Sequence, residues 1–294
     1  MAITLGFIGF GEVGGILSRG LAGKPGVDGV MAWDLKFADT AAAAAAETGG
    51  IVAATSMAAL CAGADLLVSA VTASNALGVA EEAARHARPG SWFLDLNSAS
   101  PGTKQKAAAA LEAVGVKYVE AGVMTSVPPY GIRVPMLLGG PHAAEMVTTL
   151  TGWGMDAKVA SDQLGIASAI KMSRSIMIKG LEALVVESFT TARHYGVETQ
   201  VLATLKETFP QIDWDKEGAY FFSRVVQHGK RRAEEMRESA NTVKDAGFAP
   251  TMASAIAEKQ DWVVQQAKAG AFVGLPAKPS WQDYADRLIA RSRD

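Results

Sequence analysis

The chain has 294 residues, 49% of them hydrophobic and 20% charged, with 30 glycines, one cysteine and a formal net charge of −2. A chain this long buries roughly 75% of the surface its unfolded form exposes. The lone Cys61 makes no internal bridge and no Cys/His cluster has zinc-ligand spacing, so a disulfide-framed secreted domain and a zinc module are both excluded and no metal site is expected. The balanced charge leaves no electrostatic footprint for nucleic acid or an anionic membrane.

From the N-terminus, short runs rich in β-branched and aromatic residues alternate with alanine-rich stretches. Ile3 to Gly9, Gly29 to Asp34, Asp65 to Val71, Ser91 to Leu96, Tyr118 to Val123 and Val134 to Gly139 are predicted strands. Gly14 to Leu21, Thr40 to Thr48, Ser56 to Ala62, Leu77 to Arg88 and Gly102 to Val114 are predicted helices. Such alternation predicts a mainly parallel sheet covered on both faces. After about residue 160 the periodicity is helical: Gly165 to Gly196, Thr199 to Phe209, Glu217 to Ala246 and Pro250 to Ala269. The class is therefore α/β, with a sheet domain over residues 1–160 and an all-helical domain over 161–294. Met1-Ala2-Ile3-Thr4 runs straight into a strand and no apolar run reaches the length of a membrane span, so a cytoplasmic chain with no membrane partner is expected.

The strongest short motif is Gly9-Phe10-Gly11-Glu12-Val13-Gly14, directly after the apolar strand and opening a helix. In that place the glycines allow a tight turn, close approach of a pyrophosphate and close packing of helix on strand. The helix start offers unpaired N–H groups and a positive dipole end to phosphates. Asp34 ends the second strand, twenty residues after Gly14. A carboxylate there accepts ribose hydroxyls and repels a 2′-phosphate, so the expected cofactor is NAD rather than NADP, with Lys36 nearby as an opposing attraction. Small and polar residues close the third predicted strand, Ser69 to Asn75. Among them Val71 and Thr72 fall where a cofactor would pass.

Asp95-Leu96-Asn97-Ser98-Ala99-Ser100-Pro101 closes the next strand. Asn97 and Ser98 are able to hold a substrate by neutral hydrogen bonds, and Ser100-Pro101 also reads as a helix start. Further on, Ser168, Lys171, Ser175, Lys179 and Glu182 form a polar stripe on an otherwise apolar helix. That stripe either lines a cleft or faces water. The low charge of Ile166 to Val186 predicts that a second copy covers this helix in a homodimer.

These three motifs together resemble the β-hydroxyacid dehydrogenase superfamily, the relatives of 6-phosphogluconate and 3-hydroxyisobutyrate dehydrogenases. The fingerprint is Gly6 to Gly14, the substrate motif Asp95, Asn97, Ser98 and Pro101, and the catalytic motif Gly165, Lys171 and Ser175. The resemblance implies a Rossmann-type domain, an NAD-dependent oxidoreductase acting on a hydroxyacid or related alcohol, and a homodimer. It further implies Lys171 as general acid and base, with Ser98, Asn97 and Ser175 orienting the substrate. Burial and a neighbouring cation bring such a lysine toward the working pH. Asn97 stands where the family has serine, and Ser175 where it has asparagine. Ala121 to Pro129 lacks the family's paired glycines, and its late lysine–aspartate pair, counted back from Gly247, reads Glu234-Glu235. Arg133, Arg174, His228 and Arg232 are candidate cations for a substrate carboxylate. An imine reductase and a non-catalytic NAD sensor are the competing readings.

Overall fold

The structure, a computed structural model, describes residues 2–39, 43, 46 and 49–291. The predicted helix Thr40 to Thr48 lies outside the described residues except at Ala43 and Ala46. The chain divides into two compact units, Met1–Met172 and Ser173–Asp294.

The first unit runs β1 (Ile3–Ile8), α1 (Glu12–Leu21), β2 (Val27–Trp33), β3 (Val52–Ala53), α2 (Met57–Gly63), β4 (Leu66–Ser69), α3 (Ala76–Ala84), β5 (Trp92–Asp95), α4 (Pro101–Glu112), β6 (Lys117–Val123), β7 (Met136–Gly139), α5 (Ala143–Gly152) and β8 (Ala157–Ser161). Its strands form one sheet in the order β3-β2-β1-β4-β5-β6-β7-β8. Every pair is parallel except β6 with β7. Residues 124–135 between those two strands hold only a short 3-10 turn, too little for the crossover that a parallel pair requires. Central strands are buried on both faces, which is why they read as unbroken apolar runs. Leu5 and Phe7 join Leu17, Met146 and Leu150 on one face, while Ile8, Leu67 and Phe93 join Leu60 and Leu111 on the other. The chain leaves β1 outward through β2 and β3 and then returns across it to β4, so the sheet's switch point lies between β1 and β4.

Three elements of this unit are absent from the predicted set. β3 has only two residues, and β8 is an edge strand with Lys158 and Val159 exposed. Helix α5 carries Thr148, Thr149 and Thr151, whose hydroxyls donate back to carbonyls one turn earlier; β-branched and hydroxyl side chains weaken a helical signal.

Helix α6 (Ile166–Tyr195) begins in the first unit and continues into the second. The sequence divides the chain after residue 160, whereas compactness divides it between Met172 and Ser173. The reason is that the start of α6 is hydrogen-bonded to β6: Glu120 accepts from the N–H groups of Gly165 and Ala167.

The second unit adds α7 (Glu198–Thr208), α8 (Trp214–Asp245), α9 (Thr251–Lys268) and α10 (Trp281–Arg291). Its core is Val185, Val186, Phe189, Trp214, Phe222, Val263, Trp281 and Leu288, continued by Ala183, Met236, Ala240, Ala253, Ile256 and Ala257. Gly229 brings α8 close to α9, since a Cβ there would lie 2.7 Å from Val264 Cγ2. α10, hidden in the sequence behind a Gly/Pro-rich stretch, supplies Trp281, Tyr284 and Leu288. Among the described residues no helix is long and apolar enough to cross a membrane.

Candidate active site

Because β1, β2, β4 and β5 are parallel, the segments that follow them emerge on one edge of the sheet. The structure thus gathers the loop Gly9 to Gly14, Asp34, Val71, Thr72, Asn97 and Ser98 there.

Gly9 has φ +93, and a Cβ on it would lie 2.6 Å from the Ala70 carbonyl oxygen, so only glycine fits. A Cβ on Gly14 would collide with the Gly9 carbonyl, which is how α1 starts tight against β1. At Gly11 a Cβ would meet nothing within 4 Å, and this N-cap residue brings no side-chain hydrogen bond to the helix start. Open space in front of uncapped N–H groups is a fit for a pyrophosphate. Asp34 accepts from Phe10 N–H at 2.7 Å and from Lys36 N–H at 2.9 Å. Two oxygens with about four lone-pair sites leave capacity for ribose hydroxyls. Thr72 Oγ1 accepts from Asn75 Nδ2 at 2.9 Å.

Asn97 is buried, and both ends of its amide are committed to β4 and the turn after it: Oδ1 accepts from Val71 N–H at 2.7 Å and Nδ2 donates to Ser69 Oγ at 2.9 Å. It ties the turn after β5 to the turn after β4. Beneath it Asp95, also buried, accepts from Asn97 N–H at 2.9 Å, from Tyr118 Oη at 2.8 Å and from Lys104 Nζ at 2.9 Å. Burial, then the charges and hydrogen bond of Asp95, push the Tyr118 phenol well above its ordinary range. Ser100 caps α4 by accepting from Thr103 N–H, with Pro101 in the first turn.

Lys171, on α6, donates from Nζ to Ser98 Oγ at 2.6 Å. The residue assigned to proton transfer and the hydroxyl assigned to substrate contact, 73 positions apart, are in direct contact. Ser175 belongs to the helical unit, where its Oγ accepts from Lys179 Nζ at 3.0 Å and Lys179 pairs with Glu235 at 2.9 Å. Of the candidate cations, Arg232 is buried against Glu182 and committed to it. Arg133 and Arg174 are exposed and His228 half-buried. Cys61 is buried and its thiol is pushed up to about 11, chiefly by burial and then by Glu82, so it is no nucleophile at neutral pH. Sequence reasoning missed Glu120 and Lys104, although an acid inside the apolar strand Tyr118-Val119-Glu120-Ala121 is itself a signal.

Residues 4–143 match the NAD binding domain of 6-phosphogluconate dehydrogenase, and residues 192–263 match a domain of unknown function (DUF1932). A conserved hypothetical protein from Sinorhizobium meliloti is 35% identical, with 99% of this chain and 97% of that chain covered and a TM-score of 0.78. A conserved protein of unknown function, noted for structural similarity with 3-hydroxyacid dehydrogenases, is 31% identical over 91% of this chain and 99% of its own, with a TM-score of 0.69. The chain belongs to the β-hydroxyacid dehydrogenase superfamily. The 3-hydroxyisobutyrate dehydrogenase of Mycobacterium tuberculosis shares the fold at 17% identity, 98% and 99% coverage and a TM-score of 0.69.

Proposed function

We propose that the protein is an NAD-dependent oxidoreductase acting on the hydroxyl-bearing carbon of a hydroxyacid or related alcohol, with Lys171 as its general acid and base. The observation that carries this reading is the 2.6 Å contact between Lys171 Nζ and Ser98 Oγ at the edge where the glycine loop opens. Gly9 to Gly14, Asp34, Val71 and Thr72 would hold the dinucleotide, with Asp34 favouring NAD over NADP. When bound, that group supplies a hydride acceptor in one direction and a donor in the other. Lys171 takes the substrate's hydroxyl proton on oxidation and returns it on reduction. Ser98 fixes the amine and contacts the same oxygen, Ser175 adds a second hydroxyl, and Asn97 acts from beneath by holding the Ser98 turn.

The test is a spectrophotometric panel of hydroxyacids, sugar acids and alcohols with NAD and with NADP, for wild type and Lys171→Ala. Turnover with NAD is expected to fall about 10²- to 10⁴-fold in the variant, with NADH binding retained. Undiminished turnover in Lys171→Ala overturns the assignment; reduction of imines alone moves the reaction to C=N bonds.

We further propose a homodimer through α6. Ser168, Ser175, Lys179 and Glu182 of its polar stripe are buried, while Met177 and Leu184 are 65% and 55% exposed. A second copy sets this apolar strip against itself with no other component. Light scattering should report twice the monomer mass, and a monomer overturns the proposal.

A further inference from the structure

Two neighbouring strands each carry a buried carboxylate, and Asp95 at the end of β5 stands in register with Glu120 in the middle of β6. Asp95 belongs to the Asn97 turn described above. Glu120 points its interactions the other way: it accepts from Gly165 N–H at 2.8 Å, from Ala167 N–H at 3.1 Å and from Ser168 Oγ–H at 2.7 Å. Two of these donors are first-turn amides that a helix cannot satisfy by itself, and a carboxylate also complements the positive end of the helix.

Glycines shape the space around this contact. Gly139, the register partner of Glu120 on β7, leaves room for the carboxylate, since a Cβ there would run into it. Gly122, two residues along β6, lets α6 lie close: a Cβ on it would be 3.1 Å from the Ala167 carbonyl oxygen and 3.4 Å from Lys171 Cβ. Gly165 enters the helix at φ +99. The start of α6 is therefore pinned to β6 at Glu120 and laid against it at Gly122, beside Lys171.

We propose that Glu120 is the positioning residue of Lys171: its buried carboxylate sets the height and rotation of the first turns of α6, and so holds Lys171 Nζ against Ser98. The catalytic consequence rests on the function proposed above, whereas the placement does not. A reacting group displaced by about 1 Å loses on the order of 10²-fold in rate, so the hold of Glu120 on the first turns of α6 bears directly on Lys171.

The test that needs no substrate is competitive acylation by acetic anhydride, read by peptide mass spectrometry as the rate of Lys171 against that of exposed Lys158. Ser98→Ala gives the rate of the amine without the Ser98 hydroxyl, faster than wild type. Glu120→Ala should move Lys171 most of the way to that value, and Ser168→Ala, which removes one of three donors and keeps the fold, part of the way. Glu120→Gln, which retains an acceptor for Gly165 and Ala167, should restore the wild-type rate. Leu111→Ala, a core truncation away from α6, should leave it unchanged for an equal loss of melting temperature. The proposal is overturned if Lys171 labels as in wild type in Glu120→Ala and Ser168→Ala, if Leu111→Ala has the same effect, or if Gln behaves as Ala. With a substrate in hand, Glu120→Ala should lower kcat about 10²-fold while the Kd for NADH stays unchanged. Absence of any turnover would count against the proposed function and leave the labelling result standing.

Discussion

The two units bury charge in different ways. In the sheet unit the buried acidic and basic side chains reach backbone as well as side chains: Asp95 pairs with Lys104 and also accepts from Asn97 N–H, Lys104 also donates to the Asp95 carbonyl, and Glu120 accepts from Gly165 and Ala167 N–H. In the helical unit they end on one another, Glu182 with Arg232 and Lys179 with Glu235. Strand ends and helix starts leave backbone groups unpaired, whereas the middle of a helix has none to offer. A buried charge in the first unit is therefore a fastener for loops, and in the second a fastener between helices. The site-bearing segments are held by the first kind.

The sharpest way to break this comparison is to remove one cation from each unit. Lys104→Met leaves Asp95 buried without its partner, and Arg232→Met does the same to Glu182. Each should cost about 3–5 kcal/mol, because a lone buried charge is worse than no pair at all. Urea midpoints measure the loss. The two variants should then diverge: Lys104→Met loosens the turn that Asn97 ties to Val71 and so weakens NADH binding, while Arg232→Met leaves NADH binding unchanged. The double variant Glu182→Met/Arg232→Met should recover most of the stability lost by Arg232→Met. Equal effects of the two single variants on NADH affinity would erase the distinction.

The same division explains what could be seen in the sequence. The strands were legible because burial on both faces makes them continuous apolar runs, as in Leu66-Leu67-Val68. The glycine loop was legible because every part of it is local. Asn97 was not: its amide is consumed by Ser69 and Val71, more than twenty residues away, through the pairing of β4 with β5. Nor was the polar stripe of α6, left open between cleft and water. All of it but the half-buried Lys171 is buried, because Ser168 finds Glu120 on β6, and Lys179 and Glu182 find Glu235 and Arg232 on α8 far along the chain. The apolar positions Met177 and Leu184 are correspondingly exposed on a helix that reads as buried on most sides. Periodicity fixes which residues share a face; only the partner elements decide which face is inward.

The smallest expected effect extends the comparison to the surface. Asp65, immediately before β4, is half-exposed and still ends on backbone, accepting from Thr4 N–H at 2.9 Å as well as from Arg88 at 2.8 Å. Its counterpart in the helical unit, the exposed Arg193–Asp286 pair, joins side chain to side chain. The Thr4 N–H, followed by the Arg88 guanidinium and against partial burial, holds the Asp65 carboxyl below its ordinary value of 3.8. A carboxyl lowered on folding contributes stability that is present above the unfolded-state value and lost as pH falls through the folded one. Asp65→Asn should therefore lower stability at pH 7 by less than about 1 kcal/mol given its exposure, read as a slightly lower urea midpoint, and make the acid limb below about pH 4 shallower than in wild type. Because half of the contact is to backbone, added salt should narrow the difference less than it narrows the effect of Asp286→Asn, where screening acts on the whole interaction. Equal salt sensitivity of the two variants would mean that Arg88, rather than the Thr4 amide, carries the Asp65 contribution, and that at the surface the two units use charge in the same way.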